Sequence, residues 1–439
     1  MKREKVIRTL RFRSGGVLAS GFLALAVLAA GLAPAGCAKK EEKTAADSTS
    51  GAVHSAPPGS TLYLAEAQFV TETGPDGKSR PVPGPARLSI WTSNESGWTE
   101  EVLEDPESNV FHKAAWYSPP AREPGILTIG ATKAFLKIWR KAGDGWEAEV
   151  LWNPTFGGKW DRLRDFEIAD VTGDGTDDIV VATHDQGVIG VVSWTDAGWK
   201  AEEIGRRANT FVHEIEVGDV DGDGVIEIFT TPSLPNKLDG TPQPGEIDLY
   251  EHAGGEWVRR IVDTLATRHA KEILCVTLQG EARPVLLASL EGESIGGTEA
   301  SGDSTRIRLY RFEEGGIEKT DIAGLPGNLC RFLTYGDTDG DGTKELVAST
   351  KSNGIWKLTP PKTAGAEWEK TLLATGTSGF EHATTLADFD GDGKSAIYVA
   401  SDDQKELRCY WYEEGTYRAQ SIGALANKPI TFNITAHEK

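Results

Sequence analysis

Residues 218–229 read GDVDGDGVIEIF, in which aspartates alternate with small or apolar residues and a strand-like apolar run follows. Asp219, Asp221 and Asp223 occupy alternate positions, and Glu227 stands four residues further on. Alternate positions of a tight loop can direct oxygen atoms at one point, and calcium takes six to eight oxygen ligands. The stretch therefore indicates a calcium loop between two β-strands.

Three further stretches repeat this pattern, and all four begin with an aspartate. Positions 1, 3, 5 and 9 supply side-chain oxygens and position 7 a backbone carbonyl. The predicted calcium ligands are Asp170, Thr172, Asp174 and Asp178; Asp219, Asp221, Asp223, Val225 and Glu227; Asp337, Asp339, Asp341, Thr343 and Glu345; and Asp388, Asp390 and Asp392. Two sites are complete, because Thr172 removes one charge from the first loop and Ala396 leaves the last without a carboxylate at position 9. EF-hands are excluded, since position 12 is never Glu and strands flank the loops.

A hairpin with a glycine turn recurs along the chain and predicts the architecture. A large apolar residue follows each turn, at intervals of 48 to 60 residues: Trp98, Trp146, Trp199, Trp257, Ile317, Trp368 and Tyr417. A period near 50 residues with four short strands per unit is typical of a β-propeller. The sequence therefore predicts an all-β, seven-bladed propeller over residues 61–439. The C-terminal strand PITFNITA is expected to close the ring by pairing into the first blade, which protects its edges.

The four aspartate loops, all at the same place in the repeat, resemble the FG-GAP or VCBS repeat. This is the calcium-loop propeller module of integrin α-chains and many bacterial surface proteins. The resemblance covers about residues 61–439 and implies structural calcium ions bound inside the blades. Two blades, containing AAWYSPPAREPGILTIG and CVTLQGEARPVLLAS, lack the motif.

The N-terminus has the layout of an export signal. Basic residues precede an apolar stretch from about Gly16 to Ala33. The sequence LAPAGCAKK resembles a bacterial lipoprotein signal, with Pro34 as a departure from the usual leucine. The resemblance implies a signal peptide over residues 1–36, lipidation of Cys37 and, because Ala38 follows, a place at the outer membrane. Residues 37–60 are polar and small and predict a disordered tether.

The charge of the chain restricts its partners. A formal net charge of −20 repels nucleic acid and anionic headgroups. We therefore expect no nucleic acid partner and contact with the membrane through the lipid anchor only. A monomer that binds carbohydrate or an envelope protein is the expected form.

A second set of residues stands just before each predicted inner strand. Four of its members lie six residues before the first aspartate of a loop, at positions that face one another across a propeller axis. The candidate funnel residues are His112, Arg164, Asp165, His213, Glu214, His269, Lys271, Glu272, Arg331 and His382.

Two interpretations of these residues stay open. In the first they are solvated or pair with one another in a wet channel. In the second they form a site, either a transition metal held by imidazoles and a carboxylate or a clamp for an acidic or sugar ligand. The chain has no nucleophile elbow, phosphate loop, haem motif or glycine-rich nucleotide turn. We therefore expect a binding module, with a sugar lyase or dehydratase acting in the funnel as the alternative.

Overall fold

The computed structural model describes the backbone of residues 46 and 47 and residues 54–120, 122–158, 161–235, 241, 243–292, 303–363, 366–425 and 429–437. The regular structure of these residues is all β-strand, in strands numbered β1 to β29. They form seven sheets, so the predicted seven-bladed propeller is confirmed. Within the same ranges no helix is long and apolar enough to cross a membrane. The predicted signal peptide and Cys37 lie outside the described residues.

The first blade combines the two ends of the chain. Its innermost strand is C-terminal and the other three are N-terminal: β29 (Ile430–His437), β2 (Thr61–Thr73), β3 (Ser79–Asn94) and β4 (Gly97–Asp105). β29 pairs antiparallel with β2 from Thr61–His437 to Ala67–Ile430.

Each of the other blades consists of four consecutive strands. The second, third and fourth blades are β5 (Phe111–Tyr117), β6 (Gly125–Gly130), β7 (Leu136–Ala142) and β8 (Gly145–Trp152); β9 (Leu163–Ala169), β10 (Asp178–Thr183), β11 (Ile189–Thr195) and β12 (Gly198–Gly205); and β13 (Phe211–Gly218), β14 (Glu227–Ser233), β15 (Gly245–Ala253) and β16 (Glu256–Leu265). The fifth and sixth are β17 (Ala270–Val276), β18 (Val285–Leu290), β19 (Asp303–Glu313) and β20 (Gly316–Pro326); and β21 (Cys330–Gly336), β22 (Glu345–Thr350), β23 (Ile355–Thr359) and β24 (Glu369–Ala374). The seventh is β25 (Thr384–Ala387), β26 (Ala396–Ser401), β27 (Glu406–Glu413) and β28 (Thr416–Ala424), and β1 (Ala46–Asp47) runs parallel to β28.

The first strands of the blades surround a central axis, and each contacts the next around the ring: β29, β5, β9, β13, β17, β21, β25 and again β29. Because neighbouring strands alternate in direction, the aspartate loops and the hairpin turns lie on one face of the ring, which we call the loop face. The chain enters each first strand from the opposite face.

The large residue after each hairpin turn packs between its own blade and the preceding one, as the sequence predicts. Trp199 of the third blade, for example, packs on a core shared by Leu127 of the second blade and Ile179 of the third. Ile317 and Tyr417 do the same at the fifth and seventh blades. The interfaces between blades are therefore apolar, which joins the sheets without a separate core element.

Part of the predicted tether packs on the propeller. Ala56 is buried, and the Pro57 carbonyl accepts hydrogen bonds from Ser60 and Ser93. The His54 ring stacks on Trp411 with 5.7 Å between ring centroids. Residues from 54 onward thus lie against the first and seventh blades.

Candidate functional site

The four aspartate loops join the first and second strands of the third, fourth, sixth and seventh blades. In the loop that begins at Asp219, which we call the Asp219 loop, the Asp219 carboxylate accepts hydrogen bonds from the N–H groups of Gly222 at 2.7 Å and Gly224 at 3.0 Å. Both glycines have positive φ, at 80° and 89°, which other residues rarely adopt. The backbone of the loop therefore holds the aspartate oxygens in place.

Oxygens of Asp219, Asp221 and Glu227 lie within 4.8 Å of one another, a geometry that could hold a metal ion. Glu227 Oε2 also accepts a hydrogen bond from the Val220 N–H at 2.9 Å. Burial, together with the carboxylates of Asp221 and Asp219, raises the pKa of Glu227 to about 7. A bound cation would relieve the mutual repulsion of these carboxylates.

The Asp337 loop has the same pattern and the same convergence of Asp339, Asp337 and Glu345. It differs in one neighbour. Lys357 of β23 places Nζ 2.5 Å from Asp339 Oδ2 and 3.1 Å from Glu345 Oε1. Burial raises the pKa of Glu345, while the hydrogen bonds from the Thr338 N–H and from Lys357 lower it.

The other two loops are less complete. In the Asp170 loop, Thr172 donates from its N–H and its hydroxyl to Asp178 Oδ2, at 3.1 and 3.0 Å. Asp388, Asp390 and Asp392 converge within 4.8 Å, and Lys394 Nζ lies 2.9 Å from Asp392 Oδ2. Throughout the described part of the chain, Asp170, Asp174 and Asp178 form no such converging group.

Bulges in the first strands position six of the ten candidate funnel residues. His112, Arg164, Lys271 and Arg331 each fall at a register shift and have no partner on the second strand. The same shift in β13 falls at His213 and Glu214. A bulge inserts an extra residue and re-aims side chains, and here it turns a layer of polar groups towards the axis.

These side chains enclose a small axial cavity of about 80 Å³. Of the predicted funnel residues, the cavity is lined by His112, Arg164, Asp165, Glu214, Glu272 and Arg331. In the seventh blade Glu381 lines it, where the sequence analysis placed His382. His382 has a positive φ of 59° and is buried, with Nδ1 2.8 Å from the Thr350 carbonyl and Nε2 2.7 Å from Thr377 Oγ1. His382 therefore joins the seventh blade to the sixth and does not line the axial cavity.

Charges around the axial cavity are paired across blades. Arg331 Nη1 lies 2.6 Å from Glu381 Oε1, and Arg164 Nη2 lies 3.7 Å from Glu214 Oε1. Three carboxylates accept a backbone N–H of the next blade: Asp165 from Ile215 at 2.8 Å, Glu216 from Cys275 at 3.2 Å and Glu272 from Leu333 at 3.1 Å. Burial raises the pKa of Glu214, Glu216 and Glu272 well above the usual range. This network joins neighbouring blades.

The imidazoles form a row rather than a metal-binding cluster. Ring centroids of His184 and His213 are 5.0 Å apart, and those of His213 and His269 are 6.1 Å apart. His213 Nε2 contacts Lys271 Nζ, and His269 Nε2 lies 3.0 Å from Glu291 Oε2. Burial and the Lys271 ammonium lower the pKa of His213 well below its usual range. Among the residues described, the converging carboxylate groups are those of the aspartate loops, and none includes a histidine.

A groove on the loop face, between the fifth and sixth blades, was missed by sequence reasoning. Its volume is about 560 Å³, and its walls include Arg311, Tyr335, Trp368 and the carboxylates of Glu318 and Asp321. Two sequence features mark it: the fifth blade lacks the aspartate motif, and the sixth-blade hairpin has the long turn TPPKTAGAEW.

Gln279, in the loop between the first two strands of the fifth blade, connects the groove to the Asp337 loop. Its N–H donates to the Tyr335 hydroxyl at 2.8 Å, and its amide Nε2 donates to the Gly342 carbonyl at 2.9 Å. The Lys344 N–H donates back to Gln279 Oε1 at 3.2 Å. One wall of the groove is thus built on the Asp337 loop.

Comparison with known proteins finds a sequence match to one repeat model and similarity of fold to solved structures. Residues 170–230 match the FG-GAP-like repeat, from the Asp170 loop to just beyond the Asp219 loop. No match was found among the curated proteins. The chain is similar in structure to an Agrocybe aegerita lectin with specific recognition of non-reducing terminal N-acetylglucosamine, at 11% identity over 88% of this chain and 96% of the lectin, with a TM-score of 0.52. It is also similar to cobalt-substituted ACO of Synechocystis, at 10% identity over 88% of this chain and 94% of that one, with a TM-score of 0.51. At these identities the similarity is one of fold.

Proposed function

We propose that the chain is a lipid-anchored, calcium-stabilised β-propeller of the bacterial cell envelope that binds carbohydrate in the groove between its fifth and sixth blades. The size of the groove is the observation that carries the proposal. Its volume of about 560 Å³ falls within the range of about 300–1,000 Å³ that ligand pockets occupy. The axial cavity, at about 80 Å³, has room for a few water molecules, since one takes up about 30 Å³ in the liquid.

The chemistry of the groove suits a sugar. A saccharide presents hydroxyl groups at its edge and C–H groups on its faces, and it needs both polar partners and flat apolar ones. Tyr335 and Trp368 supply aromatic surface beside Pro360 and Pro361. Arg311 is oriented by Glu281, with Nε 2.9 Å from Oε1, and its Nη1 lies 3.9 Å from Glu318 Oε2, so the guanidinium has further N–H groups that a ligand could meet. The lectin among the structural neighbours is consistent with this proposal.

Calorimetric titration with N-acetylglucosamine oligosaccharides, after a screen on a glycan array, tests the proposal. Arg311→Ala should weaken binding at least about tenfold, because a hydrogen bond to a charged group contributes about 1.5–3 kcal/mol. Arg260→Ala is the matched control: Arg260 is an outer-strand arginine paired with Glu251 at 2.5 Å in another blade. Equal binding by the parent and both variants, or binding to no glycan on the array, would refute the groove assignment.

The calcium and the anchor belong to the same proposal. The Asp219 loop offers converging carboxylates on a fixed backbone, and a bound calcium ion would supply the positive charge that they lack. Cys37→Ser should abolish lipid labelling and release the domain from the envelope. A mature N-terminus mapped to any residue other than Cys37 would contradict the anchor.

A second candidate, a sugar lyase or dehydratase acting at the funnel, is favoured by one observation. Burial lowers the pKa of Lys271 well below its usual range, and Nζ contacts His213 Nε2. An amine whose pKa is lowered and that lies beside an imidazole is the kind of group that abstracts a proton. Lyase activity that disappears in Lys271→Met, in a protein that melts as the parent does, would support this candidate. No activity on any glycan that the protein binds would exclude it.

A further inference from the structure

The Asp219 and Asp337 loops share the pattern Asp-x-Asp-Gly-Asp-Gly-x-x-Glu but face different residues on the third strand of their blades. In the fourth blade Phe229 pairs with Leu249, and in the sixth Val347 pairs with Lys357. Phe229 and Val347 both stand two residues after the last glutamate of the motif. Leu249 and Lys357 are therefore equivalent positions, on the same side of the sheet as that glutamate.

The ammonium of Lys357 is built into the Asp337 loop. Its side chain is 11% exposed, and it contacts Asp339, which is 13% exposed, and Glu345, which is 1% exposed. Nζ also lies 5.8 Å from the centre of the Tyr417 ring, whose hydroxyl is 2.7 Å from Thr338 Oγ1.

The Asp219 loop has no such cation on its carboxylates. Arg283 lies beside it, but its guanidinium donates to the backbone carbonyls of Asp221 at 2.5 Å and Phe312 at 3.2 Å. Within the described ranges, no lysine or arginine forms an ion pair with Asp219, Asp221, Asp223 or Glu227. The carboxylates of the motif are thus neutralised by a lysine in the sixth blade, whereas in the fourth blade they have no lysine or arginine partner among the described residues.

We propose that Lys357 takes the place of a calcium ion in the Asp337 loop, so that this loop and the groove wall built on it are held without calcium. The ammonium brings one charge and three N–H donors to oxygens that would otherwise surround a divalent ion. Gln279 connects this loop to Tyr335 by hydrogen bonds. Ligand binding in the groove is therefore insensitive to calcium. This last step rests on the proposed carbohydrate function, whereas the replacement of the ion does not.

The test counts calcium ions by mass spectrometry of purified, calcium-equilibrated protein. Lys357→Leu copies the residue of the fourth blade and should bind one ion more than the parent. Asp339→Ala should bind as many ions as the parent, which keeps the test decisive if Lys357→Leu fails to fold. An unchanged count in Lys357→Leu, or one ion fewer in Asp339→Ala, would overturn the proposal.

Saccharide titration in EGTA then separates the two claims. Saccharide binding that is unchanged by the chelator supports both the replacement of the ion by Lys357 and the calcium insensitivity of the groove. Binding that is lost in EGTA, with the ion counts as expected, would overturn the calcium insensitivity of the groove alone. Failure to bind any saccharide would count against the proposed function. The role of Lys357 would then be decided by the ion counts alone.

Discussion

The Asp219 loop and the Asp337 loop carry the same nine-residue pattern, but the strand beside each presents a different side chain. Leu249 gives the Asp219 loop an apolar neighbour, and Lys357 gives the Asp337 loop a buried ammonium. A calcium motif therefore specifies its oxygen ligands but not the charge that surrounds them. That charge comes from residues brought close by strand pairing, and it decides whether an ion is needed.

The largest expected effect is on calcium-dependent stability. Asp221→Ala should abolish most of the difference in melting temperature between calcium and EGTA, because a ligand bound only to the folded state adds about 2.7 kcal/mol at a hundredfold excess over Kd. Asp339→Ala is the matched change in the other loop and should leave that difference intact. Differential scanning calorimetry of both variants, with and without chelator, measures the contrast. Equal losses in the two variants would show that both loops hold calcium.

A second, smaller effect is a pH dependence of the calcium-free protein. The pKa of Glu227 is about 7 when folded, against about 4.3 for an unperturbed glutamate, so the folded state binds more protons between these values. Stability in EGTA should therefore fall as the pH rises from about 5 to about 8. Glu227→Gln should flatten part of this fall, and the difference from the parent isolates Glu227 from the other buried carboxylates. If the curves of stability against pH were parallel for parent and variant, Glu227 would bind no extra proton in the folded state.

The fold was predictable because its signals are local and repeated. The residues after the hairpin turns, such as Trp98 and Trp199, carry the repeat, and each packs where a propeller requires a large apolar group. The pairing of β29 with β2 follows from a count of strands, since the first blade has only three at the N-terminus. Strand period and turn chemistry therefore suffice for this level of structure.

The sites were harder to predict, because they depend on single-residue shifts and on contacts between strands. Counting back from each aspartate loop treats His382 as equivalent to His213, yet a positive φ at His382 leaves Glu381 at the axis. Lys357 lies 18 residues from Asp339 in sequence and meets it only through the register of β22 and β23. The groove lies where the fifth blade lacks the aspartate motif and the sixth has a lengthened hairpin turn, and neither feature by itself indicates a ligand site.

The smallest expected effect compares two lysines that both contact a loop aspartate. Lys394 Nζ lies 2.9 Å from Asp392 with a side chain that is 41% exposed, whereas the side chain of Lys357 is 11% exposed. An exposed ion pair is screened by water and salt and contributes about 0–1 kcal/mol. Removal of a lysine from a buried pair leaves carboxylates without their counter-charge in a site of low dielectric constant.

Lys394→Ala should therefore change the free energy of unfolding in EGTA by no more than about 0.5 kcal/mol, as most surface substitutions do. Lys357→Ala should lower it by clearly more, and its deficit should shrink when calcium is added, because the ion can then occupy the vacated position. Urea denaturation of both variants at low and high salt measures these changes. A Lys357→Ala deficit that calcium does not reduce would mean that the lysine fills space in the blade rather than standing in for an ion.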